Sequence, residues 1–366
     1  MYIEKLTLNN YRNYESLDMD FSRSTNILFG DNAQGKTNIL EALYVGSTTK
    51  SHRSAKDRDI IKFEEEEAHI RINLKKREVP HKIDMHLRKG KAKQVSIDGL
   101  SIKRAAELFG LVNIIFFSPE DLSIIKNGPG ERRRFMDMEI CQLSRIYFSN
   151  LANYNKVLDH RNHLLKDIIQ DRSLTEMLDV WDMQLVSYGK EVIRERREFV
   201  EMLNDIIQDI HSTITSGKET IKLIYEANVS EDDFETVLSE KRNIDIRNAS
   251  TMTGPQRDDI GIFIDGNDVR TFGSQGQQRT AALSLKLAEI ELVRRMIKDD
   301  PILLLDDVMS ELDSKRRNQL LKSIEGIQTV ITCTGYEDFI RERISLDKIF
   351  EVEMGKVKEV GIREND

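Results

Sequence analysis

A glycine-rich octapeptide containing one lysine and one threonine carries the strongest chemical signal in the sequence. Residues 30–37 read Gly-Asp-Asn-Ala-Gln-Gly-Lys-Thr and match the Walker A pattern G-x-x-x-x-G-K-[ST]. In such a loop, backbone N–H groups surround phosphate oxygens, and the start of the following helix adds positive potential. Lys36 is expected to reach the β- and γ-phosphates, and the Thr37 hydroxyl to bind Mg²⁺. The pattern therefore predicts a nucleoside triphosphate site.

A short apolar run that ends in two carboxylates forms a second motif. Residues 302–305, Ile-Leu-Leu-Leu, precede Asp306 and Asp307 and predict a buried strand with an acidic tip. Beside a phosphate-binding loop, the first carboxylate is the expected Mg²⁺ contact, and Asp307 would then face the attacking water. The alternative, solvated acids at the end of a central strand, is disfavoured by the loop upstream.

A serine before a long amphipathic segment forms the third motif. Ser274 is a good N-cap residue, and Ala281, Leu285, Ala288 and Leu292 give the following helix an apolar face. A helix start of this kind presents a hydroxyl and backbone N–H groups to an anion. Taken alone, the motif would indicate an ordinary helix cap.

Together, the motifs follow the order of an ABC-type ATPase, with Ser-Glu-Leu-Asp at 310–313 after the acidic strand. In that class, a nucleotide lies between the phosphate-binding loop of one head and the signature serine of another. The predicted catalytic residues are Asp307, Lys36 and Ser274, and the predicted Mg²⁺ ligands are Thr37 and Asp306. The presence of a helical segment between the phosphate-binding loop and the signature serine resembles the SMC-like branch of this class. The segment is, however, too short for a long coiled-coil arm.

The predicted nucleotide contacts belong to the loop, the signature segment and a later strand end. They are Gly30, Asp31, Asn32, Ala33, Gln34, Gly35, Lys36, Thr37, Asn38, Ser274, Gly276, Gln277 and Thr334. Two positions depart from the wider class, which usually has glutamate where Asp307 stands and histidine where Thr334 stands. Because aspartate reaches less far and threonine cannot become cationic, we expect slow hydrolysis, suited to a timed clamp rather than a fast motor.

Hydrophobic periodicity predicts an α/β fold with a helical insertion. The resemblance of the motif order to that of ABC-type ATPases implies, in addition, an ABC-type P-loop ATPase head of mixed sheets flanked by helices with an inserted α-helical domain. Strand-like runs lie at 2–8, 17–21, 26–29, 112–117, 220–229, 259–264, 301–305 and 329–332. Apolar residues at helical spacing from 136 to 158 and from 181 to 210 predict two long helices packed on each other. The predicted parts are head residues 1–118, a helical insertion at 119–215 and head residues 216–366.

Charge is distributed unevenly along the chain. The 366 residues include 55 Lys+Arg and 63 Asp+Glu, a net charge of -8, which does not indicate a generally basic surface. From Arg71 to Arg104, however, eleven lysines and arginines stand against three acidic residues. A local patch that contacts nucleic-acid phosphates is therefore one interpretation, and a solvated strand face is the other.

Six basic residues are the candidate DNA contacts. They are Lys89, Lys91, Lys93, Arg132, Arg133 and Arg134. The three arginines could equally decorate the start of an insertion helix. No aromatic residues interleave the basic stretch, so readout of bases by stacking is not expected.

Other composition features narrow the protein class. Cys141 and Cys333 lie far apart, and the seven histidines show no metal-ligand spacing with Cys or Glu, so no metal beyond Mg²⁺ is expected. The N-terminal residues lack a signal-peptide pattern, and no apolar run approaches the roughly 20 residues of a membrane helix. A cytoplasmic protein is the expectation.

Seven segments resemble the RecF family of bacterial DNA replication and repair ATPases. They lie at 8–14, 30–42, 117–122, 131–137, 253–259, 274–279 and 306–313. The resemblance implies an ATP-dependent dimer that binds single-stranded, duplex and gapped DNA at replication gaps, with slow, DNA-stimulated ATP hydrolysis. It also implies RecO and RecR partners, loading of the strand-exchange protein and a contribution to SOS induction.

Two other function classes remain open. One is the nucleotide-binding subunit of a transporter. The basic stretch argues against this class, and so does the absence of glutamate at position 307 and of histidine at position 334. The other is a P-loop GTPase or small-molecule kinase. A GTPase needs a guanine-reading Asn-Lys-x-Asp, whereas Asn155 and Lys156 are followed by Val157 and Leu158.

Overall fold

The computed structural model describes residues 1–53, 56–103, 107–335 and 347–360. The strands are β1 Tyr2–Tyr11, β2 Tyr14–Asp20, β3 Thr25–Phe29, β4 Glu67–Lys76, β5 Val79–Arg88, β6 Gln94–Ile97, β7 Leu100–Ile102, β8 Ile114–Phe117, β9 Ile221–Glu226, β10 Asp259–Ile264, β11 Asn267–Asp268, β12 Ile302–Asp306, β13 Thr329–Cys333, β14 Lys348–Glu353 and β15 Lys356–Val360. The helices are α1 Lys36–Thr48, α2 Leu122–Lys126, α3 Pro129–Leu143, α4 Arg145–Gln170, α5 Leu178–Thr215, α6 Phe234–Glu240, α7 Arg242–Asn248, α8 Val269–Phe272, α9 Gln275–Ile297, α10 Val308–Glu311 and α11 Ser314–Ser323. Within these ranges no helix is long and apolar enough to cross a bilayer.

Two sheets form the first of two units, which comprises Met1–Asp121 and Glu289–Asp366. One sheet is antiparallel in the order β2-β1-β4-β5-β6-β7. The other has the order β15-β14-β3-β13-β12-β8, in which β15 alone runs antiparallel to its neighbour. The apolar residues of β12 are completely buried, as the continuous apolar run predicts for a central parallel strand.

Helix α1 packs against strands of both sheets and is buried along most of its length. It follows β3 through residues 30–35, and β12 and β13 run parallel in the same sheet as β3. Because parallel strands end at the same edge, the helix start, the tip of β12 and the tip of β13 meet there. This edge positions the candidate site.

The second unit, Leu122–Ala288, contains α2–α8, most of α9 and a three-stranded antiparallel sheet in the order β11-β10-β9. Helices α4 and α5 pack along each other, with a core of Leu164, Leu165, Ile168 and Leu178 near the connection between them. The second predicted helical track, from 181 to 210, lies wholly within α5.

The first predicted track, from 136 to 158, is not one helix. Ser144 adopts an extended conformation, with φ -129° and ψ 109°, and separates α3 from α4. Its hydroxyl accepts a hydrogen bond from the backbone N–H of Tyr147 at 3.0 Å, which caps α4. The apolar spacing continues across the break, and α3 and α4 both pack against α5.

The second unit also extends past residue 215, where the sequence placed the end of the helical insertion. Strand β9 packs on α5, and the Asn204 side chain bonds both the carbonyl and the N–H of Leu223, at 2.6 and 2.8 Å. From α3, Arg132 forms an ion pair with Asp259 of β10 at 2.6 Å. These long-range contacts join the three-stranded sheet to the helices, whereas the sequence assigned 216–288 to the head.

Candidate nucleotide-binding site

Residues 30–35, between β3 and α1, form a loop whose backbone requires glycine at two positions. Gly30 and Gly35 have φ values of 147° and 117°, and Ala33 has φ 65°. A Cβ atom at Gly30 would lie 2.3 Å from the Val352 carbonyl oxygen, and one at Gly35 would lie 2.5 Å from Asn13 Nδ2. Both motif glycines are therefore dictated by close approach as well as by φ.

Two hairpins distant in sequence hold this loop. From the β1–β2 turn, Asn13 Nδ2 donates to the Gln34 carbonyl at 3.0 Å, and the Tyr14 hydroxyl donates to the Gly35 carbonyl at 3.1 Å. From the β14–β15 turn, the backbone N–H of Met354 donates to Gln34 Oε1 at 2.7 Å. The loop is thus shaped by surrounding structure. Asn13 and Met354 were not among the predicted site residues.

The Lys36 ammonium group folds back over the loop. It donates to the carbonyl oxygens of Gly30 and Asp31 at 2.6 and 2.8 Å, and the residue is only 6% exposed. A phosphate oxygen would make stronger, charge-assisted hydrogen bonds with this ammonium than neutral carbonyls do. Lys36 is therefore placed to neutralise a phosphate bound in the loop.

A threonine, a carboxylate and a second threonine meet at the edge of the parallel sheet. The hydroxyls of Thr37 and Thr332 both donate to Asp306 Oδ1, at 2.9 and 2.8 Å. Burial raises the pKa of the Asp306 carboxyl above its usual value, while these two hydrogen bonds favour the charged form. The Thr37 hydroxyl and the Asp306 carboxylate supply the hard oxygen donors that Mg²⁺ prefers, so these residues fit that ion.

Thr332 belongs to none of the sequence motifs, although it links the two aspartates. Besides donating to Asp306, its hydroxyl oxygen accepts a hydrogen bond from the Asp307 backbone N–H at 2.9 Å. The available signal was a hydroxyl residue near the carboxyl end of a buried apolar strand. Its significance depends on strand register, because Thr332 is paired with Asp306 across the parallel β12–β13 ladder.

Asp307 has a strained backbone. Its φ of 57° lies in the left-handed region, which non-glycine residues seldom occupy. Its N–H is held by Thr332, and its carbonyl accepts a hydrogen bond from the Ser310 hydroxyl at 2.7 Å. The carboxylate is partly exposed immediately after the Mg²⁺-binding position. This placement is compatible with the predicted contact to water, which stays a prediction.

Ser274 caps α9, as the sequence predicts. Its hydroxyl accepts from the Gln277 backbone N–H at 3.2 Å, and Gln277 Oε1 accepts from the Ser274 N–H at 2.9 Å. This reciprocal pair is a capping box. Ser274 and Gly276 are exposed, whereas Gln277 also donates to Glu219 at 3.1 Å. Thr334 is exposed just beyond β13, and the nucleotide contacts of all four residues stay predictions.

A buried ion pair supports the first turns of α1. Arg12 makes two hydrogen bonds with the Glu41 carboxylate, at 2.6 and 2.7 Å, and Glu41 is fully buried. Burial alone would raise the pKa of Glu41, but hydrogen bonds from Arg12 and Ser51 hold it below the usual value. The bidentate geometry fixes the β1–β2 turn against the helix. Both members lie in segments that carry the RecF resemblance.

Acidic neighbours partly neutralise the basic stretch. Lys89 forms an ion pair with Glu66 at 3.3 Å, and Lys93 forms one with Asp57 at 2.9 Å. Lys91 is exposed in the β5–β6 loop, and Arg104 lies outside the described residues. The local excess of positive charge is therefore smaller in the folded structure than the sequence indicates. DNA contact by these lysines stays a prediction.

Two of the three consecutive arginines have structural roles. Arg132 is 4% exposed and bonds Asp259 through Nε and Nη2, at 2.6 and 2.8 Å. Arg133 donates to the Asp258 carbonyl at 2.7 Å. These contacts argue against the predicted DNA contact for both residues, because binding a phosphate would break the Arg132–Asp259 ion pair or the hydrogen bond of Arg133. Arg134 is exposed.

The chain matches known proteins along nearly its whole length. Residues 2–358 match the family described as the RecF/RecN/SMC N terminal domain. A protein of Lachnoclostridium phytofermentans called DNA replication and repair protein RecF is 58% identical over 358 residues, 98% of this chain and 99% of that protein. The RecF protein of Clostridium acetobutylicum is 43% identical over 365 residues, 98% of this chain and 100% of that protein.

Solved structures show the same similarity in three dimensions. A structure described as the recombination mediator protein RecF-ATPrS in the RecFOR pathway has a TM-score of 0.92, with 34% identity and 98% of each chain covered. The corresponding RecF-ATP structure has a TM-score of 0.90, with 34% identity and 98% of each chain covered. The Smc head domain of Pyrococcus furiosus is 18% identical, covers 98% of this chain and 96% of its own, and with a TM-score of 0.56 shows a shared fold alone.

The predicted fold class is confirmed: the fold is that of an SMC-like, ABC-type ATPase head with mixed sheets and flanking helices. The chain belongs to the RecF family of DNA replication and repair proteins. The transporter alternative finds no support among these relatives.

Proposed function

We propose that this chain is an ATP-dependent DNA-binding protein of recombinational repair at replication gaps. The observation that supports this most directly is the arrangement of Lys36, Thr37 and Asp306 around a preorganised phosphate-binding loop. Relatives with the same fold include the RecF-ATP structure described above. ATP is therefore the nucleotide that we propose for the loop.

The residues of the site have separable roles. The loop N–H groups and Lys36 bind the β- and γ-phosphates. Thr37 and Asp306 would hold Mg²⁺, which supplies neutralisation of phosphate charge when bound. Asp307 accepts a hydrogen bond from the attacking water and takes the proton of that hydrogen bond. As it does so, the water oxygen bonds to the γ-phosphorus, and the bond between the γ-phosphorus and the β,γ-bridging oxygen breaks. Its short side chain makes this step slow, so ATP acts as a timer.

We also propose that two chains complete each other's sites. The Ser274 hydroxyl accepts a hydrogen bond within its own cap, which leaves its proton free for a phosphate oxygen, and the start of α9 adds positive potential. Exposure of Ser274 permits contact with the nucleotide of a second copy. The closed state would then be an ATP-dependent homodimer.

Family membership supports a proposal for the DNA and protein partners. Single-stranded, duplex and gapped DNA are the proposed nucleic acids, and RecO and RecR are the proposed protein partners. The RecF structures similar to this chain are described as belonging to the RecFOR pathway.

One experiment tests the core of this proposal. ATP binding is measured with a fluorescent analogue, and retention of gapped DNA is measured with and without ATP. The wild type should retain more DNA with ATP, whereas Lys36→Ala should lose both ATP binding and this ATP effect. Lys50→Ala is the matched control, since Lys50 is exposed beyond the end of α1 and should behave as the wild type.

Two results would contradict the proposal. Equal ATP affinity in the wild type and Lys36→Ala would overturn the nucleotide site. DNA retention that is independent of ATP in the wild type would overturn the coupling between nucleotide and DNA.

A further inference from the structure

Three side chains with metal-ligating chemistry meet on the antiparallel sheet of the first unit, among residues not assigned to the nucleotide site. Glu67 and His69 lie on β4, and His86 lies on β5. One ligand atom from each residue lies within 4.8 Å of the others. Glu67 and His86 are partly exposed, and His69 is exposed, so an ion could reach all three from solvent.

Strand geometry accounts for this grouping. Residues at i and i+2 of a strand project from the same face, which aligns Glu67 with His69. In the antiparallel ladder His69 stands directly opposite His86, and their rings stack with centroids 4.0 Å apart and planes 18° apart. Hydrogen-bonded pairs continue along both strands on either side, so the backbone that carries these side chains is held in place.

The donor set defines the ion. Two imidazole nitrogens and one carboxylate oxygen are the protein ligands of zinc sites that keep a fourth position for water or an external ligand. Mg²⁺ and Ca²⁺ prefer all-oxygen donors instead. We propose that Glu67, His69 and His86 bind one Zn²⁺ ion, or a similar divalent transition metal, with the fourth position open to solvent.

The distances suit such a site. With metal–ligand bonds of about 2.0–2.1 Å, ligand atoms of a tetrahedral site lie roughly 3.3 Å apart. His86 Nε2 and Glu67 Oε2 are 3.1 Å apart, which is already this spacing. The ligand atom of His69 lies within 4.8 Å of the other two, and because His69 is exposed its side chain can rotate toward them without movement of a strand.

Arg88 competes with the metal for the carboxylate. Its Nε and Nη2 both donate to Glu67 Oε2, at 3.1 and 2.8 Å. Arg88 stands directly opposite Glu67 in the ladder. The guanidinium therefore weakens metal binding in the wild type, and its removal should strengthen it.

Binding is tested with Zn²⁺ alone on the full-length, tag-free protein, in competition with a chromophoric chelator. The wild type should bind one Zn²⁺ per chain at this site. The double variant His69→Gln/His86→Gln should bind it at least about tenfold more weakly. His81→Gln is the matched control, because His81 lies on β5 with His86 but bonds Asp98 at 2.9 Å. This variant should bind Zn²⁺ as the wild type does. Arg88→Gln should bind several-fold more tightly.

Thermal unfolding gives a second measurement. Because a bound ion links β4 to β5, saturating Zn²⁺ should raise the melting temperature of the wild type by about 2–4 °C and leave the double variant unchanged. The melting temperature of each protein with Zn²⁺ is compared with its own metal-free value, because the substitutions also remove the contacts of His86 with Glu67 and of His81 with Asp98. Equal Zn²⁺ affinity in the wild type and the double variant would overturn the inference, and so would the absence of stoichiometric binding by the wild type.

Discussion

Among single residues, the site depends on the Thr332 hydroxyl, although Thr332 belongs to no sequence motif. Thr332 donates to Asp306 and accepts from the Asp307 N–H, at 2.8 and 2.9 Å. It thus fixes the predicted Mg²⁺ ligand and the strained backbone of its neighbour at once. A side chain of equal shape without the hydroxyl would lose both hydrogen bonds and leave the packing intact.

Thr332→Val should therefore lower ATP turnover by about tenfold, since two hydrogen bonds to site groups are worth roughly 1–3 kcal/mol together. The measurement is steady-state phosphate release at saturating DNA. Thr329→Val is the matched control, because Thr329 lies on the same strand, is fully buried and donates to the Ile327 carbonyl at 3.1 Å. It should lower stability to a similar extent yet keep wild-type turnover. Equal losses in the two variants would show that Thr332 acts through stability alone.

At the scale of elements, one buried arginine joins α5 to two other segments. Arg196 is 2% exposed and pairs with Asp137 of α3 at 2.8 Å and with Asp258 at 3.2 Å. It also donates to the Pro255 carbonyl at 2.7 Å. Burial raises the pKa of Asp258 above its usual value, although the arginine opposes this shift. The residue interrupts the apolar track of α5 because its charge is needed between two carboxylates.

Arg196→Met should destabilise the second unit by about 3–5 kcal/mol, because two carboxylates would lose their buried counter-charge. Hydrogen exchange of α3 and α5 gives the measurement, since it reports on this unit independently of the other. Arg194→Met on the same helix is the control, for Arg194 is about half exposed and pairs with the surface residue Glu191. Its effect should stay within about 1 kcal/mol. Similar protection in the two variants would refute the role of the buried network.

At the scale of the whole molecule, the proposed function requires two copies of the chain. The phosphate-binding loop belongs to the first unit and Ser274 to the second. In the proposed dimer, Ser274 of one copy contacts the nucleotide held by the other. Nucleotide binding by a single chain and closure of the dimer should therefore be separable by mutation.

Ser274→Arg should keep the ATP affinity of the single chain but abolish ATP-dependent dimerisation. The large cation removes the helix cap and blocks the approach of a second head. Sedimentation with and without ATP measures the assembly, and fluorescence measures ATP binding by the same sample. Ser173→Arg, at an exposed serine between α4 and α5, is the control and should dimerise as the wild type. Normal dimerisation of Ser274→Arg would exclude a nucleotide shared between two copies.

The features that depend on neighbours along the chain are predictable from the amino-acid sequence. The Walker A loop, the acidic strand tip and the cap at Ser274 are local patterns, because a turn, a helix start and a buried strand each need particular residues within a few positions. Most strand positions and the helix at 181–210 follow from apolar periodicity for the same reason. The resemblance to the RecF family extended these local predictions to the whole fold.

Which distant residues become neighbours is known from the folded structure and not from the sequence. Strand register brought Thr332 to Asp306 and His69 to His86, neither of which any spacing in the sequence indicates. Ion pairs with acidic residues of other segments reduce the excess of positive charge around Lys89. The packing of β9 on α5 places residues beyond 215 in the second unit. The physical reason is common to all four: register, burial and ion pairing depend on contacts across the fold, which local composition and periodicity do not specify.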